Sequence, residues 1–551
     1  MIGYICKYTP VELLCAFGEQ PELLNTEVTD FAYADRLAHP NLCFQAKAFL
    51  EHSREVEKIL LTSCCDSLRR VYDLLYHQGK HEFLYTLDLP HEDRNCARTL
   101  LTEELIRLAG AYGQKYKTVF NKDLFLAACQ KAARTFPDRP FLAVLGARVS
   151  RELFSAIAEH AAKAGYPVAD LTCSGHRCLE SPPPEARTMD FPTLMSWYAG
   201  ALLRQIPCLR MSKIAGRRAL WEHENLRGII YNTVKFCDYY HFEYGELRKE
   251  TAIPILKIES DFTPQARGQL ATRLEAFTES LGPQTGKGRA ANGRKQLYAG
   301  IDSGSTTTNV VVLNENREIV ASATVRTGAK ARRGAQAALE IVCRQLGVDL
   351  DDFAGIVATG YGRESIGAAT GTRTEISCHA KGARFLHPEV RTLIDIGGQD
   401  SKVICLDEEG KITNFIMNDK CAAGTGRFLE MMAATLELDL EAMSTRGLEW
   451  QEDLTISSMC TVFAESEVIS LIAENHRTAD IIHGLNKAVA ARTAALVSRA
   501  GGKAPYMMSG GVAHNTGVVR ELEKRLVGKV FIPEAPELCG ALGAALFALE
   551  G

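Results

Sequence analysis

The chain has 551 residues, 46% apolar and 24% charged, with 63 Lys plus Arg against 67 Asp plus Glu and a formal net charge of −4. That length exceeds the ~250–300 residues that one core serves, so two or more domains are expected, and the balanced charge offers no basic surface for nucleic acid or anionic lipid. No apolar run reaches the ~18 residues of a membrane span, and Lys7, Pro10 and Glu12 interrupt the start "MIGYICKYTPVELLCAFG", so a cytoplasmic protein is expected.

Before residue 282, short apolar runs such as "EKILLTSC", "HEFLYTLDLP", "RPFLAVLG" and "IPILKIESD" alternate with amphipathic stretches such as "TLLTEELIRLAGAYGQ". This alternation predicts parallel α/β units. Several runs end in polar or Cys-containing turns, and open parallel sheets place ligands at the carboxyl ends of their strands. In "TSCCDSLRR", Asp66 or Ser67 is suited to start the next helix. Seventeen cysteines in a reduced compartment call for metal, redox chemistry or core packing rather than disulfides, and eleven of them precede residue 282.

Residues 282–296, "GPQTGKGRAANGRKQ", have linker composition. The fragment "GPQTGKG" has three rather than four residues before Gly-Lys and no following Ser or Thr, so it is not read as a phosphate loop.

After the linker an internal repeat begins. "LYAGIDSGSTTTNVVVLNENREIVAS" reads as strand, Gly-rich turn, strand, hairpin and strand, and "RTLIDIGGQDSKVICLDEEGKITNF" repeats that order 93 residues later, from Asp302 to Asp395. Each Asp closes an apolar strand ahead of small residues: Gly304, Ser305, Thr306 and Thr307 in one copy, Gly397, Gly398 and Gln399 in the other. Glycine lets backbone N–H groups approach an anion, hydroxyls add donors, and a strand-end carboxylate can hold Mg2+ or a water. Gly510 and Gly511, after a short strand, suit the adenosine side of a cleft between two lobes. The expected fold is that of actin, sugar kinases and heat-shock ATPases, with ATP between two ribonuclease-H-like lobes.

Cys421 and Cys460 each precede an apolar-periodic segment. Phe428, Met431, Met432 and Leu436 of the first and Val468, Ile469, Leu471 and Ile472 of the second are expected to form packed helix faces. A thiol at a helix start is biased toward thiolate and toward an anionic cluster. Two cysteines cannot close a four-thiolate site, but a symmetric dimer can supply four. Core packing remains the alternative for both.

In order, "GIDSGSTTTNVVV", "ATGYGRESI", "EISCHAKGA", "IDIGGQDSKVI", "MNDKCAAGTGRFLE", "CTVFAESEVIS", "MSGGVAHN" and "GALGAALFA" resemble the activator of 2-hydroxyacyl-CoA dehydratases and the ATP-binding subunits of benzoyl-CoA reductase, across residues 297–551. The resemblance implies a homodimer with a 4Fe-4S cluster bridged by Cys421 and Cys460, loaded by ferredoxin or flavodoxin. Hydrolysis of ATP then drives one electron to a low-potential acceptor. In such an electron-transfer ATPase, Asp302 and Asp395 are the candidates to position Mg2+ or water, Ser305, Thr306 and Gln399 to contact phosphate, and Gly510 and Gly511 to meet the adenosine side.

Residues 1–281 resemble the iron-sulfur subunits that accept such an electron, through "GYICKYTPVELLCAFG", "HPNLC", "TSCCDSLRRVYD", "LDLP" and "KFCDYYHFEYGELRKETAIPILKIESDF". Those subunits bind a 4Fe-4S or a double-cubane cluster. Carried over, Cys6, Cys43, Cys65 and Cys237 are the expected ligands, with Cys64, Cys173, Cys178 and Cys208 as further candidates. Cys15 and Cys129 fall on apolar helical faces and are assigned to packing. The acceptor portion is shorter than such subunits and is fused to the activator, and nothing in the chain reads as a CoA pocket. Three functions follow from this pattern: electron transfer from the ATPase to its own N-terminal module, activation of a separate dehydratase or reductase with that module used for docking, and a sugar-kinase-like phosphotransferase.

Overall fold

The structure is a computed structural model that describes the chain except residues 133–135, 174, 176, 178, 206–207, 209–219, 221, 265–266, 283–296, 329, 419–421, 423 and 457–460. It divides into two compact units, Met1–Leu274 and Glu275–Gly551. The expected linker lies outside the described residues apart from Gly282.

The first unit holds two four-stranded parallel sheets. β1 (Ile2–Tyr4), β2 (Pro21–Leu23), β3 (Lys58–Thr62) and β4 (Phe83–Leu87) pair in the order β2-β1-β3-β4. β5 (Phe141–Gly146), β6 (Val168–Asp170), β7 (Leu226–Val234) and β8 (Ile255–Ser260) pair as β6-β5-β7-β8. Both sheets therefore reverse direction between their first and third strands. A crevice forms at such a point outside the carboxyl ends of the strands. The "FLAVLG" run of β5 is buried along its whole length, as a central strand covered on both faces requires. One apolar core, including Leu13, Phe49, Leu60, Phe125, Tyr198 and Ile229, serves both sheets.

The second unit holds two five-stranded sheets of the same design. β9 (Leu297–Ser303), β10 (Thr307–Leu313), β11 (Ile319–Arg326), β12 (Phe353–Thr359) and β13 (Gly371–Thr372) run in the order β11-β10-β9-β12-β13. β14 (Thr392–Ile396), β15 (Ser401–Leu406), β16 (Ile412–Asn418), β17 (Tyr506–Ser509) and β18 (Val530–Phe531) run as β16-β15-β14-β17-β18. In each, three antiparallel strands are followed by two parallel ones, the ribonuclease-H-like arrangement of the actin, sugar kinase and heat-shock ATPase fold. The repeat extends to register: Asp302 stands opposite Asn309, and Asp395 opposite Lys402.

The last helix, Cys539–Glu550, packs back against the first lobe, its Ala541 and Ala545 joining Val311 and Leu313 in one core. It crosses the helix Glu375–Leu386 closely enough that a Cβ on Gly382 would overlap the Cys539 carbonyl and one on Gly543 the Cys378 carbonyl. Small residues at the crossing thus set how near the two helices come.

The expected packed face of the segment after Cys460 is only half right. The helix Thr461–Ala473 buries Ala464 and Val468 and packs Leu471 against the core, a spacing of four and three. Ile469 and Ile472 belong to another face and are 53% and 42% exposed. After Cys421, the helix Gly426–Thr435 does bury Phe428 and Met432, with Met431 and Leu436 packed at the edge of the core.

Candidate functional site

Between the two lobes of the second unit lies a cavity of about 730 Å3. Asp302, Gly304, Ser305, Thr306 and Thr307 reach it from the β9–β10 turn, Asp395, Gly397 and Gly398 from the β14–β15 turn, and Gly510 and Gly511 from the end of β17. Gln399 is exposed at the turn and does not line the cavity. The two loops meet: a Cβ on Gly398 would overlap the Thr306 hydroxyl. Gly510 has φ +83°, and a Cβ there would run into the Ile396 carbonyl, so this turn requires glycine.

Glu375, His379, Asp400 and Lys402 are among the cavity groups that the sequence did not single out. His379 sits on the helix Glu375–Leu386, which Thr374 caps by accepting from the Ser377 N–H. Its Nε2 is 3.5 Å from Asp302 Oδ2 and its Nδ1 3.5 Å from Asp395 Oδ1, so one ring links the two strand-end carboxylates. Burial opposes a charge on His379, but Asp395 and Asp302 outweigh it and hold the ring's pKa well above the usual range. Lys402 lies 3.2 Å from Asp395, 2.8 Å from Asp400 and 3.4 Å from Glu375, and these carboxylates likewise overcome its burial.

Burial alone would raise Asp395, yet His379, Lys402 and a hydrogen bond from Ser509 Oγ (2.8 Å) bring it down to about 2. Glu375 is pushed up to about 7, by burial first, with Lys402 opposing and Asp400 and Asp302 adding. The cavity therefore carries fixed anions and fixed cations side by side, away from water, where charges act strongly. Equivalent carboxylates on facing loops, with hydroxyl and backbone N–H donors around them, are suited to a polyphosphate with its divalent cation.

Cys421 and Cys460 lie outside the described residues. The turn after Cys421 does not leave its helix N–H groups free for a cluster: Gly426 N–H donates to the Gly397 carbonyl (2.9 Å) and Arg427 N–H to the Gly398 carbonyl (2.8 Å). Its first donors are spent on the second phosphate loop.

In the first unit, Cys6, Cys43, Cys64, Cys65, Cys173, Cys208 and Cys237 all line one cavity of about 1480 Å3. The topology explains the meeting. Cys6 follows β1, Cys64 and Cys65 follow β3, Cys173 follows β6 and Cys237 follows β7, each at a strand's carboxyl end. Two backbone bonds tie these loops together, Lys7 N–H to the Cys173 carbonyl and Phe44 N–H to the Lys235 carbonyl, both 3.3 Å. Cys43, Cys65 and Cys237 occupy the cap positions of the helices Phe44–Ser53, Asp66–Gln78 and Asp238–Glu250. Of the starts offered for the "TSCCDSLRR" helix, the structure uses Asp66.

The thiols interact with one another. Hydrogen bonding from Cys64, opposed by burial and aided by Thr62 and Lys7, lowers Cys6 to about 6, while the same bond and Cys65 raise Cys64. Cys237 is raised by its hydrogen bond with Cys43 and by burial, and Cys173 is pushed to about 12 by burial with Cys208 and Cys6 nearby. Such proton sharing marks donors close enough to be bridged by one group that displaces their protons. Among the described residues no three His, Cys, Asp or Glu side chains converge on a single-ion site. The seven thiols around the cavity are donors of the kind that iron-sulfur clusters use. Cys129 is fully buried and Cys15 partly so, and neither lines the cavity. Cys178 lies outside the described residues.

The model of the BadF/BadG/BcrA/BcrD ATPase family matches residues 299–548, and that of the 2-hydroxyglutaryl-CoA dehydratase D-component matches 6–136 and 137–281. The 2-hydroxyisocaproyl-CoA dehydratase activator of Clostridioides difficile is 45% identical over 46% of this chain and 94% of its own length. The activator of lactoyl-CoA dehydratase of Anaerotignum propionicum is 47% identical over 46% of this chain and 96% of its own. Among solved structures, component A of the Acidaminococcus fermentans (R)-2-hydroxyglutaryl-CoA dehydratase is 44% identical, covering 46% of this chain and 98% of that one, with a TM-score of 0.45.

Proposed function

Because the chain belongs to the BadF/BadG/BcrA/BcrD ATPase family and carries a 2-hydroxyglutaryl-CoA dehydratase D-component in the same polypeptide, we propose that ATP hydrolysis in its second unit drives one-electron reduction of its first. The observation that carries this reading is the convergence of seven cysteines on one cavity, in a chain that also has a two-loop phosphate cleft.

Cys6, Cys43, Cys65 and Cys237 would hold an iron-sulfur cluster, with Cys64, Cys173 and Cys208 within its cavity. When bound, it stores single electrons at low potential. Seven thiols exceed the four that one 4Fe-4S cube uses, which favours a larger cluster of the double-cubane kind. Cys421 and Cys460 from two copies would share a second, bridging 4Fe-4S cluster in a homodimer, loaded by ferredoxin or flavodoxin. Ile469 and Ile472, 53% and 42% exposed and three apart on the helix that follows Cys460, supply an apolar face for the second copy.

In the cleft, Ser305, Thr306 and the loop N–H groups bind the phosphates. Asp302 and Asp395 hold Mg2+ or orient water, and His379 keeps the two carboxylates in register. Any shift of Gly397 and Gly398 when the terminal phosphate leaves is passed through their bonds to Gly426 and Arg427 into the helix after Cys421.

Relatives named as dehydratase activators favour a second reading, in which the acceptor is a separate dehydratase and the first unit serves in docking. Anaerobically purified full-length protein separates the two. Iron well above about four per dimer, with ATP-dependent reduction of the additional cluster in the absence of any other protein, supports the internal acceptor. Iron of about four per dimer, with ATP-dependent reduction only of an added dehydratase, supports the separate one.

A further inference from the structure

Arg148, beyond the carboxyl end of β5, is 1% exposed. Its Nη1 donates to the Ile5 carbonyl at 3.4 Å, one residue before Cys6, while its Nε and Nη2 have no hydrogen-bond partner among the described residues. No carboxylate lies within ion-pair distance of it among those residues, and the ionisable groups that act on its charge are Cys173, Tyr4, Asp170 and Cys6. Of these, the Asp170 Oδ1 already accepts from the Thr172 N–H and hydroxyl.

A buried guanidinium without an anion is costly, several kcal/mol even after relaxation. Arg177, its side chain 10% exposed, shows the usual remedy, since it pairs with Glu12 at 2.6 Å. Arg148 has no carboxylate at ion-pair distance among the described residues, and two of the thiols of the cavity, Cys6 and Cys173, are among the groups whose charge acts on it. The Asn232 amide donates to the Arg148 carbonyl at 2.7 Å and to the Ala147 carbonyl at 3.2 Å, which fixes the backbone from which the side chain reaches toward them.

We infer that Arg148 is the built-in counter-charge of the anionic metal-sulfur group in the first unit and sets its reduction potential. Reduction adds a negative charge, so a fixed cation beside the thiolates favours the reduced form. The same cation is uncompensated when the thiols are protonated and empty, so it destabilises the apo unit and stabilises the loaded one. Arg148 acts through the thiolates as a positioning residue for charge and takes no part in transferring a proton. This inference rests on the proposal that the first unit binds a cluster.

The test uses the full-length chain carrying Cys421→Ala and Cys460→Ala, so that the remaining iron reports on the first unit. Arg148→Met, Arg148→Gln and Arg148→Lys are compared with that parent by iron and sulfide content, by EPR-monitored redox titration, and by melting of the apo and loaded forms. Met and Gln are expected to retain the iron but to be about tenfold less reduced at the parent's midpoint, a shift of about 59 mV for a one-electron couple. Lys is expected to restore most of it. The apo form of Arg148→Met is expected to melt higher than the apo parent. Full iron with an unchanged midpoint in both Met and Gln overturns the role of Arg148 while leaving the cluster in place. No iron in the parent itself overturns the cluster reading and this inference with it.

Discussion

Lys402 faces Asp395 across the β14–β15 ladder, Nζ 3.2 Å from Oδ2, at the position that Asn309 holds opposite Asp302 in the first lobe. The duplicated lobes have thus become electrically unequal. Among the described residues Asp395 has two cationic neighbours, Lys402 and His379, whereas Asp302 shares only His379 and lies opposite an amide. Asp395 is held ionised and tied into the structure by these neighbours, and the proposed contact with Mg2+ is assigned to Asp302.

Asp302→Asn should therefore leave the fold intact and lower the rate of phosphate release by about 10²-fold or more, with ATP still bound. Asp395→Asn should do the same and also cost about 1–3 kcal/mol of stability, because it takes one carboxylate from both Lys402 and His379, which keep Asp400 and Glu375 on one side and Asp302 on the other. Phosphate release at saturating ATP, equilibrium nucleotide binding and urea unfolding check the pair. Equal stability losses in the two variants would contradict the assigned asymmetry.

Glu375 gives the second unit a pH signature. Its folded pKa of about 7 lies above the ~4.3 of an unfolded glutamate, so the native state holds the extra proton between these values. Its contribution is complete below the lower value and is lost as pH rises toward the upper one, by about 4 kcal/mol at most. Asp395 runs the other way and loses its contribution only as pH falls from ~3.9 toward about 2. Unfolding of Glu375→Gln at pH 5 and pH 7.5 should show the variant gaining on the parent at the higher pH, and a gap that is the same at both would exclude the assignment.

Gly398→Ala puts a methyl group where the Thr306 hydroxyl stands. It should weaken ATP binding by about tenfold, or 1.4 kcal/mol, with the melting temperature nearly unchanged. Thr306→Ala added to it should recover part of that loss, since the two residues are in contact and their effects are not additive. Isothermal titration of the four proteins reads the coupling directly.

Serine at Cys43 or Cys237 should remove the first unit's iron while leaving that of Cys421 and Cys460, because each takes a donor from one mutually hydrogen-bonded pair. Cys129→Ser should keep the iron and lower stability by about 1–3 kcal/mol, as expected for burying a hydroxyl in an apolar site. Iron analysis and thermal unfolding distinguish a ligand from a packing thiol.

Much of the second unit was legible because its signals are local. A strand, an Asp and a Gly-rich turn lie within a few residues of one another, and their repetition 93 residues on implies two lobes. All of the residues so identified reach the cavity except Gln399, whose outward direction depends on how the turn tips. His379 and Lys402 were not legible. One lies on a helix that reaches the cleft only after folding, and the other faces Asp395 only through strand register, which pairs residues seven apart. The return of the helix Cys539–Glu550 to the first lobe is likewise a matter of long-range packing.

The cysteines of the first unit show the same division. Their residence at strand ends and helix starts follows from the local pattern of apolar runs and turns. That Cys43 meets Cys237, and Cys6 meets both Cys64 and Cys173, follows from two sheets that each reverse at the same place and share one core. Periodicity reports which face of an element is apolar, since that depends on neighbours a few residues away. Which elements then lie together is set by burial of those faces across hundreds of residues, and no local spacing encodes it.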